Sequence, residues 1–445
     1  MFQTLRNAWR VADMRKKIIY TLMIFLVFRI GSYLPVPFID VSAISSTMSN
    51  TTDSSIVFSY LNVLSGGAME FGALFAMSIT PYINASIIMQ LLTVAIPPLE
   101  RLAQEGEEGQ RKIAKYTRFA TVILGLIQGT AYWWWLTANN CLQKTITTGS
   151  DKTLAAIVII LCFTAGSALM MWLGERIDEK GIGNGISLLL FAGIISRLPS
   201  GINALYKLVS TSKDSQEAFE SWTQLVILVL IFAAVILFIV WMQFAERRIP
   251  IQYAKRVVGR KQYGGQNSHM PIKVNMSGVM PIIFASSILM IPQQVIQTFG
   301  ASIKAGANES YPTWFRVFNL INYKSWSYAV IYFALIIAFA YFYTSIQYNP
   351  VEMANNLRKN NGAIPGIRPG KPTQIFIKNI LSRITLIGAI FLGVIAVLPT
   401  IMQQFMTVNI SLGGTSLLIV VGVAIDTVQQ LESQMMMRHY KGFLD

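Results

Sequence analysis

Apolar residues in this chain gather into ten stretches, each near the ~20 residues that a helix needs to cross the hydrocarbon of a bilayer. They run Ile18 to Leu34, Phe75 to Ala95, Phe119 to Thr137, Leu154 to Leu173, Ile186 to Leu205, Leu225 to Trp241, Met280 to Gln297, Trp326 to Ile346, Ile384 to Ile401 and Ser416 to Leu431. In hydrocarbon the backbone must satisfy its own hydrogen bonds, so runs of this length predict helices rather than barrel strands. A single charge, Arg29, interrupts the first span, and a side chain snorkelling toward the headgroups is the expected reading.

Composition agrees with lipid as the solvent. Hydrophobic residues make up 53% of the 445 and charged ones 13%, against roughly a quarter charged in soluble domains. The basic N-terminal segment leads into an apolar run followed by Pro35-Val36-Pro37, not by a small-residue cleavage site, so a retained first span is expected. Cys141 and Cys162 imply no disulfide framework, and lone thiols in such surroundings read as small core hydrophobes.

The net charge of +15 acquires meaning from its placement. Lys and Arg crowd the N-terminus, the segments around 101–118, 176–180, 247–273 and 358–383, and the C-terminal tail, while the alternate loops carry few. The positive-inside rule then puts both termini in the cytoplasm and makes the number of spans even.

Pro81, Ile83, Ala85, Ser86 and Ile88 recur as Pro281, Ile283, Ala285, Ser286 and Ile288, a constant offset of 200. These positions fall in the second and seventh spans. Five spans per half give the halves opposite orientation, the inverted-repeat arrangement that builds a pore or site where the halves meet. Chance recurrence of common residues is the competing explanation.

The segment Leu61 to Leu74 is too broken by Ser65-Gly66-Gly67 and Glu70 to cross lipid and too apolar for water. Pattern alone allows either a short re-entrant element or an interfacial helix. Gly181 to Gly185 reads as a turn that starts the fifth span, since neither a preceding strand nor a P-loop lysine accompanies it. No HExxH, nucleophile elbow or carboxylate pair lies within a span, so neither an enzyme nor a cofactor is expected. Two long basic loops, 244–275 and 347–378, carry Arg247, Arg248, Lys255, Arg256 and Arg368 on turns rich in Pro and Gly. Such a field suits an acidic protein surface or RNA phosphates, whereas purely topogenic charge explains the sign but not the length.

The strings ITPYINASIIMQLL, RKIAKYTRF, GERIDEKGIGNGIS, FAERRIPIQYAKR, NSHMPIKVNMSGVMPIIFASSI, PGIRPGKPT and GGTSLLIVVGVAIDT together resemble the SecY family, in family order along nearly the whole chain. The resemblance implies an all-α polytopic membrane protein with ten transmembrane helices in two inverted five-helix halves and a short re-entrant plug. It implies a cytoplasmic N-terminus over 1–17, a first half over 18–205 with plug 61–74, an external hinge loop over 206–224, a second half over 225–431 and a cytoplasmic tail over 432–445. The implied pore ring is Ile79, Ile83, Ile186, Leu190, Ile283 and Ile419, with Leu190 departing from an expected Ile. The implied plug comprises Leu61, Leu64, Ser65, Gly66, Gly67, Ala68 and Met69. A lateral gate toward lipid would involve Pro81, Ser86, Gln90, Pro281, Ser286 and Ser287, and motor or ribosome contacts would be Arg247, Arg248, Lys255, Arg256 and Arg368.

The function so implied is a protein-conducting channel of the bacterial plasma membrane, passing unfolded secretory polypeptides across and releasing transmembrane segments sideways into lipid. SecE and SecG would be its membrane partners, the SecA ATPase or a ribosome its source of direction, and signal peptides and nascent chains its substrates. A secondary transporter of a small solute shares inverted halves but needs ionisable groups near the midplane, where only Arg29, Glu175 and Asp426 come close. A poreless scaffold subunit is compatible with composition.

Overall fold

The computed structural model describes residues 6, 8–50, 62–143, 149–210, 215–253, 256–258, 261–263, 267–290, 292, 326–405 and 414–441. Each of the ten apolar stretches contains a helix. These are α1 (Ala12–Gly31), α3 (Thr80–Ala95), α5 (Glu107–Ala138), α6 (Gly149–Lys180) and α7 (Gly185–Ser210) in the first half of the chain. In the second half they are α8 (Ser215–Phe244), α9 (Met280–Met290), α10 (Trp326–Gln347), α12 (Lys371–Phe405) and α13 (Gly414–Lys441). Three shorter helices accompany them: α2 (Val41–Asn50), α4 (Pro97–Gln104) and α11 (Pro350–Lys359).

The outer surface shows which solvent this bundle needs. Leu22, Met23 and Leu26 on α1 and Leu230, Leu237 and Trp241 on α8 are exposed, part of an apolar area far beyond the few hundred Å² that soluble monomers tolerate. By contrast, 67% of the apolar window of α12 is buried against 22% of that of α8. The chain is a multi-pass membrane protein with α12 inside the bundle and α8 at its lipid face.

Small residues bring the helices close. Gly125 and Gly129 of α5 lie one turn apart, and a Cβ on either would stand 3.4 Å from Thr164 and Ile160 of α6. With little hydrophobic drive between helices in lipid, such close approach maximises dispersion contact. Cys141 is fully buried in the apolar cluster at this end, as expected of a core thiol.

The second span differs from the sequence expectation. Its helix starts at Thr80, not Phe75, because Ser78 holds a left-handed backbone (φ 53°) and Pro81 occupies the first turn, where its missing N–H costs nothing. The 200-residue echo extends into this backbone. Gly278 is left-handed too (φ 60°), and the amides of Ile83 and Ile283 donate to the carbonyls of Ile79 and Val279 at 3.1 and 3.3 Å. Beyond Ala95 the chain turns through 101° into α4.

The basic loops are structured. β1 (Glu246–Tyr253), β2 (Arg256–Val258), β3 (Lys261–Tyr263) and β4 (Asn267–Lys273) fold from the first, and β5 (Gly362–Ala363) comes from the second. β4, β1 and β5 form one antiparallel sheet, with Glu246 opposite Lys273 and Tyr253 opposite Gly362. Ile249 and Ile251 point inward from β1 into a small core shared with Leu357, Ile364, Ile377 and Leu381. Segment 371–378, expected as loop, is the opening of α12.

Candidate conduction site

The six apolar residues expected at a waist share one large cluster. Ile79, Ile83, Leu190, Ile283 and Ile419 belong to one buried cluster, against which the partly buried Ile186 packs. They come from four elements: the start of α3, the start of α7, the first turn of α9 and the first half of α13. Ile79 is fully buried and Leu190 and Ile419 are each 2% exposed, so these side chains are packed against apolar neighbours. Leu190 fills its position without leaving the cluster, the ordinary behaviour of an isomeric aliphatic swap.

Order along the helices sets what lies on either side. On α7, Ile186 and Leu190 come first, then Gly193, then Arg197. Gly193 faces the segment 62–74: a Cβ there would stand 2.5 Å from the Leu64 carbonyl oxygen, so the segment's backbone lies directly on the helix. Leu64 and Ala68 join the same cluster as the collar, and Ser65, Ala68 and Met69 are buried. Residues 62–74 thus form a turn-rich, re-entrant unit enclosed by protein, where irregular backbone is tolerated at membrane depth. Gly66 and Gly67 take left-handed backbones (φ 69° and 93°) that permit the tight turn. Leu61 lies outside the described residues.

Polar contacts hold this unit in place. Arg29 Nη1 donates to the Gly66 carbonyl at 2.8 Å, and its guanidinium lies 4.5 Å from the centre of the Tyr33 ring. Arg29 is thus half-buried and engaged by a carbonyl of segment 62–74 on one side and by the exposed Tyr33 on the other, where Nη2 donates to the Tyr33 hydroxyl at 2.7 Å. Arg197 Nη2 meets Glu70 Oε2 at 3.0 Å, and Asn62 Nδ2 donates to the same oxygen at 3.2 Å. The Ser78 hydroxyl donates to the Leu64 carbonyl at 3.2 Å. Gly193, Ser78 and Arg197 carry no signal in the sequence, whereas a lone arginine in an apolar run was a visible one.

On the other side of the collar, toward the basic loops, lies a cavity of about 540 Å³. Ile283 and Ile419 close its inner end, and its wall carries Asn184, Gln243, Lys273, Asn275, Asp426 and Gln430. Gly181 to Gly185 forms the turn that opens α7, with the Asp178 carboxylate accepting from the Gly185 amide at 2.7 Å and the Asn184 side chain from the Ser187 amide at 3.1 Å. These are helix-capping bonds, as expected for a turn that starts a span.

Pro81 and Pro281 are buried at equivalent points of α3 and α9, and Ser86 and Ser286 are both half-buried. Ser287 is buried, while the half-buried Gln90 has a side-chain oxygen without a hydrogen-bond partner. Arg247 and Arg248 are exposed on β1, and Arg248 is tied to Glu246 at 2.6 Å. Arg368 is exposed in a turn between the left-handed Gly366 and Gly370. Lys255 and the Arg256 side chain lie outside the described residues.

Comparison with known proteins places this geometry. A family model described as SecY matches residues 73–428. A protein translocase subunit SecY of Halalkalibacterium halodurans is 43% identical over 447 residues, covering 100% of both chains. A solved structure concerned with the plug domain of the SecY protein, which is said there to stabilise the closed state and maintain a membrane seal, aligns with TM-score 0.64 at 18% identity. That alignment covers 95% of this chain and 92% of the other. A canine ribosome–channel complex from the endoplasmic reticulum aligns with TM-score 0.57 at 16% identity, covering 95% and 92%.

Proposed function

Because the chain belongs to the SecY family, we propose that its bundle is a protein-conducting channel whose path runs from the cavity, through the apolar collar, past the segment 62–74. The observation that carries this reading is the continuity of three features: Ile283 and Ile419 line the polar cavity and belong to the apolar cluster that also holds Leu64 and Ala68 of the pinned segment. A narrow apolar waist dewets and blocks ions at rest, yet makes no lasting hydrogen bond to a chain sliding through. Segment 62–74 is the plug. It seals the waist from the far side and must leave when a polypeptide enters.

The halves 18–205 and 225–431 meet at this waist, joined by a hinge over 206–224, with cytoplasmic segments 1–17 and 432–445. The start of α3 and that of α9 form the gate toward lipid, with Pro81, Ser86, Gln90, Pro281, Ser286 and Ser287 along it. Partitioning then sorts the chain in transit. A Leu-like residue gains about 0.3–0.6 kcal/mol at the bilayer centre and a charge costs roughly 2.5–3.5. The positive-inside rule puts the basic sheet in the cytoplasm of a bacterial cell and the channel in its plasma membrane.

Direction comes from outside, since the function assigned here is conduction and not catalysis. Arg247, Arg248, Lys255, Arg256 and Arg368 form the landing surface for the SecA motor or a ribosome, and SecE and SecG complete the membrane complex. Relatives named as translocase subunits and a likeness to a ribosome-bound channel support this reading. The small-solute transporter has less to work with: Arg29 is engaged by Gly66, and Glu175 pairs with Arg118 at 2.8 Å. The deciding experiment is to stall a secretory chain in transit and crosslink it from Ile83 and Ile283. Adducts at both positions are expected, and their absence with a stalled chain present would overturn the assignment of the path.

A further inference from the structure

The cavity on the basic side of the collar contains a feature that a smooth funnel does not require. Asn275 is 6% exposed, and its Nδ2 donates to Gln243 Oε1 at 3.1 Å, while its Oδ1 has no hydrogen-bond partner. A buried acceptor left open is destabilising, so its persistence calls for an explanation. Gln243 passes the chain of amides on, its Nε2 donating to Asp426 Oδ1 at 3.3 Å. Asp426 is the one carboxylate in the cavity wall, and no cation lies within ion-pair distance of it among the described residues. The one cation in the wall, Lys273, donates to Gln429 Oε1 at 2.7 Å instead. The cavity therefore offers an open amide oxygen and a carboxylate that accepts from Gln243, feels Lys273 only at longer range and has no salt bridge among the described residues.

We propose that Asn275 and Asp426 form a subsite for a basic side chain, Lys or Arg, on the polypeptide entering the channel. The inference rests on the channel reading above and adds a binding position to it. A primary ammonium or guanidinium carries several donors and a positive charge, the chemistry that an open amide acceptor and a carboxylate without a salt bridge both lack. The position also fits the chemistry of the clients. Asp426 lies seven residues beyond Ile419 on α13, about 10 Å along the axis at 1.5 Å per residue. A cation held there puts the apolar residues that follow it at the collar, about three residues away in extended chain at ~3.3 Å each. A basic flank followed by an apolar segment is thus held with its charge on the basic side of the waist, which fixes the orientation in which the apolar part meets the gate.

The test uses the full translocase reconstituted in vesicles, with two precursors that differ only in three flanking residues, Lys in one and Gln in the other. In the wild type the Lys precursor initiates faster, and Asp426→Asn or Asn275→Leu lowers the ratio of the two rates roughly three- to tenfold, the size expected of one partly screened charge contact. Asp426→Glu restores most of the ratio. In the unsubstituted protein, a zero-length carbodiimide couples a flank lysine of a stalled precursor to Asp426, read by mass spectrometry. This arm does not depend on any variant folding. An unchanged ratio in D426N, or coupling that bypasses Asp426, overturns the subsite while leaving the channel standing. Failure of the wild type to move even the Gln precursor would instead sink the channel reading.

Discussion

Arg29 Nη1 donates to the Gly66 carbonyl oxygen across 2.8 Å, tying the first helix of the chain to the turn-rich segment 62–74 proposed as the plug. Together with the Arg197–Glu70 pair at 3.0 Å, it puts two guanidinium groups on one short stretch of irregular backbone. Each contact is charge-assisted and partly buried, worth about 1–2 kcal/mol. Arg29→Leu and Glu70→Gln should each raise the frequency of plug displacement about tenfold, measured as ion conductance of reconstituted channels. The exchange Glu70→Arg with Arg197→Glu should return it toward the wild-type level. Conductance unchanged in all three variants would show that the plug is held elsewhere.

Substituting the collar tests the seal itself. Ile83→Asn and Ile419→Asn introduce a hydrogen-bonding group where wetting must be prevented, so ion leak should rise and dependence on a strong signal sequence should relax. Leu190→Ile conserves volume and should cost less than about 1.5 kcal/mol, with the leak unchanged. Tight seals in both Asn variants would remove the collar from the path.

Backbone contact between α7 and the plug makes a separate prediction. A Cβ at Gly193 would come within 2.5 Å of the Leu64 carbonyl oxygen, and neither helix nor turn can yield there without moving the whole segment. Gly193→Val should speed amide exchange across residues 62–69 and increase leak, with Gly193→Ala intermediate. Exchange at the wild-type rate in the Val variant would contradict the close approach.

The basic surface is tested by charge. Arg368→Glu should slow motor-driven translocation about tenfold at low salt, with the deficit narrowing as salt rises. The amount of channel inserted in the membrane should stay constant. Normal rates in reconstituted vesicles would take Arg368 out of the contact surface.

Helices were legible because lipid demands long apolar runs, and nothing else in the chain imitates them. The start of the second span was misplaced by five residues, although Pro81 marked it, because Phe75 to Ile79 is as apolar as a helix would be. The sheet was not legible: β1 finds β5 across more than a hundred residues, and its partner strand is two residues long, too short to leave an alternation. Of the proposed site, the broken backbone of 62–74 was readable from Ser65-Gly66-Gly67, and family resemblance picked out residues that the structure gathers in one apolar cluster. Their fastenings were not, since what Arg29, Gly193 and Arg197 touch is decided by the packing of helices and not by neighbours in the chain.

The strand pairing between the two basic loops has a mechanical consequence. β4 ends at Lys273 and α9 begins at Met280, so only six residues separate a hydrogen-bonded strand from a helix of the gate. On the other side, β5 leads through the Arg368 turn directly into α12. A load applied to either loop is therefore shared by both through the sheet and reaches α9 through a tether too short to absorb it, so a partner seated on the basic surface proposed above would pull on the proposed gate helix directly.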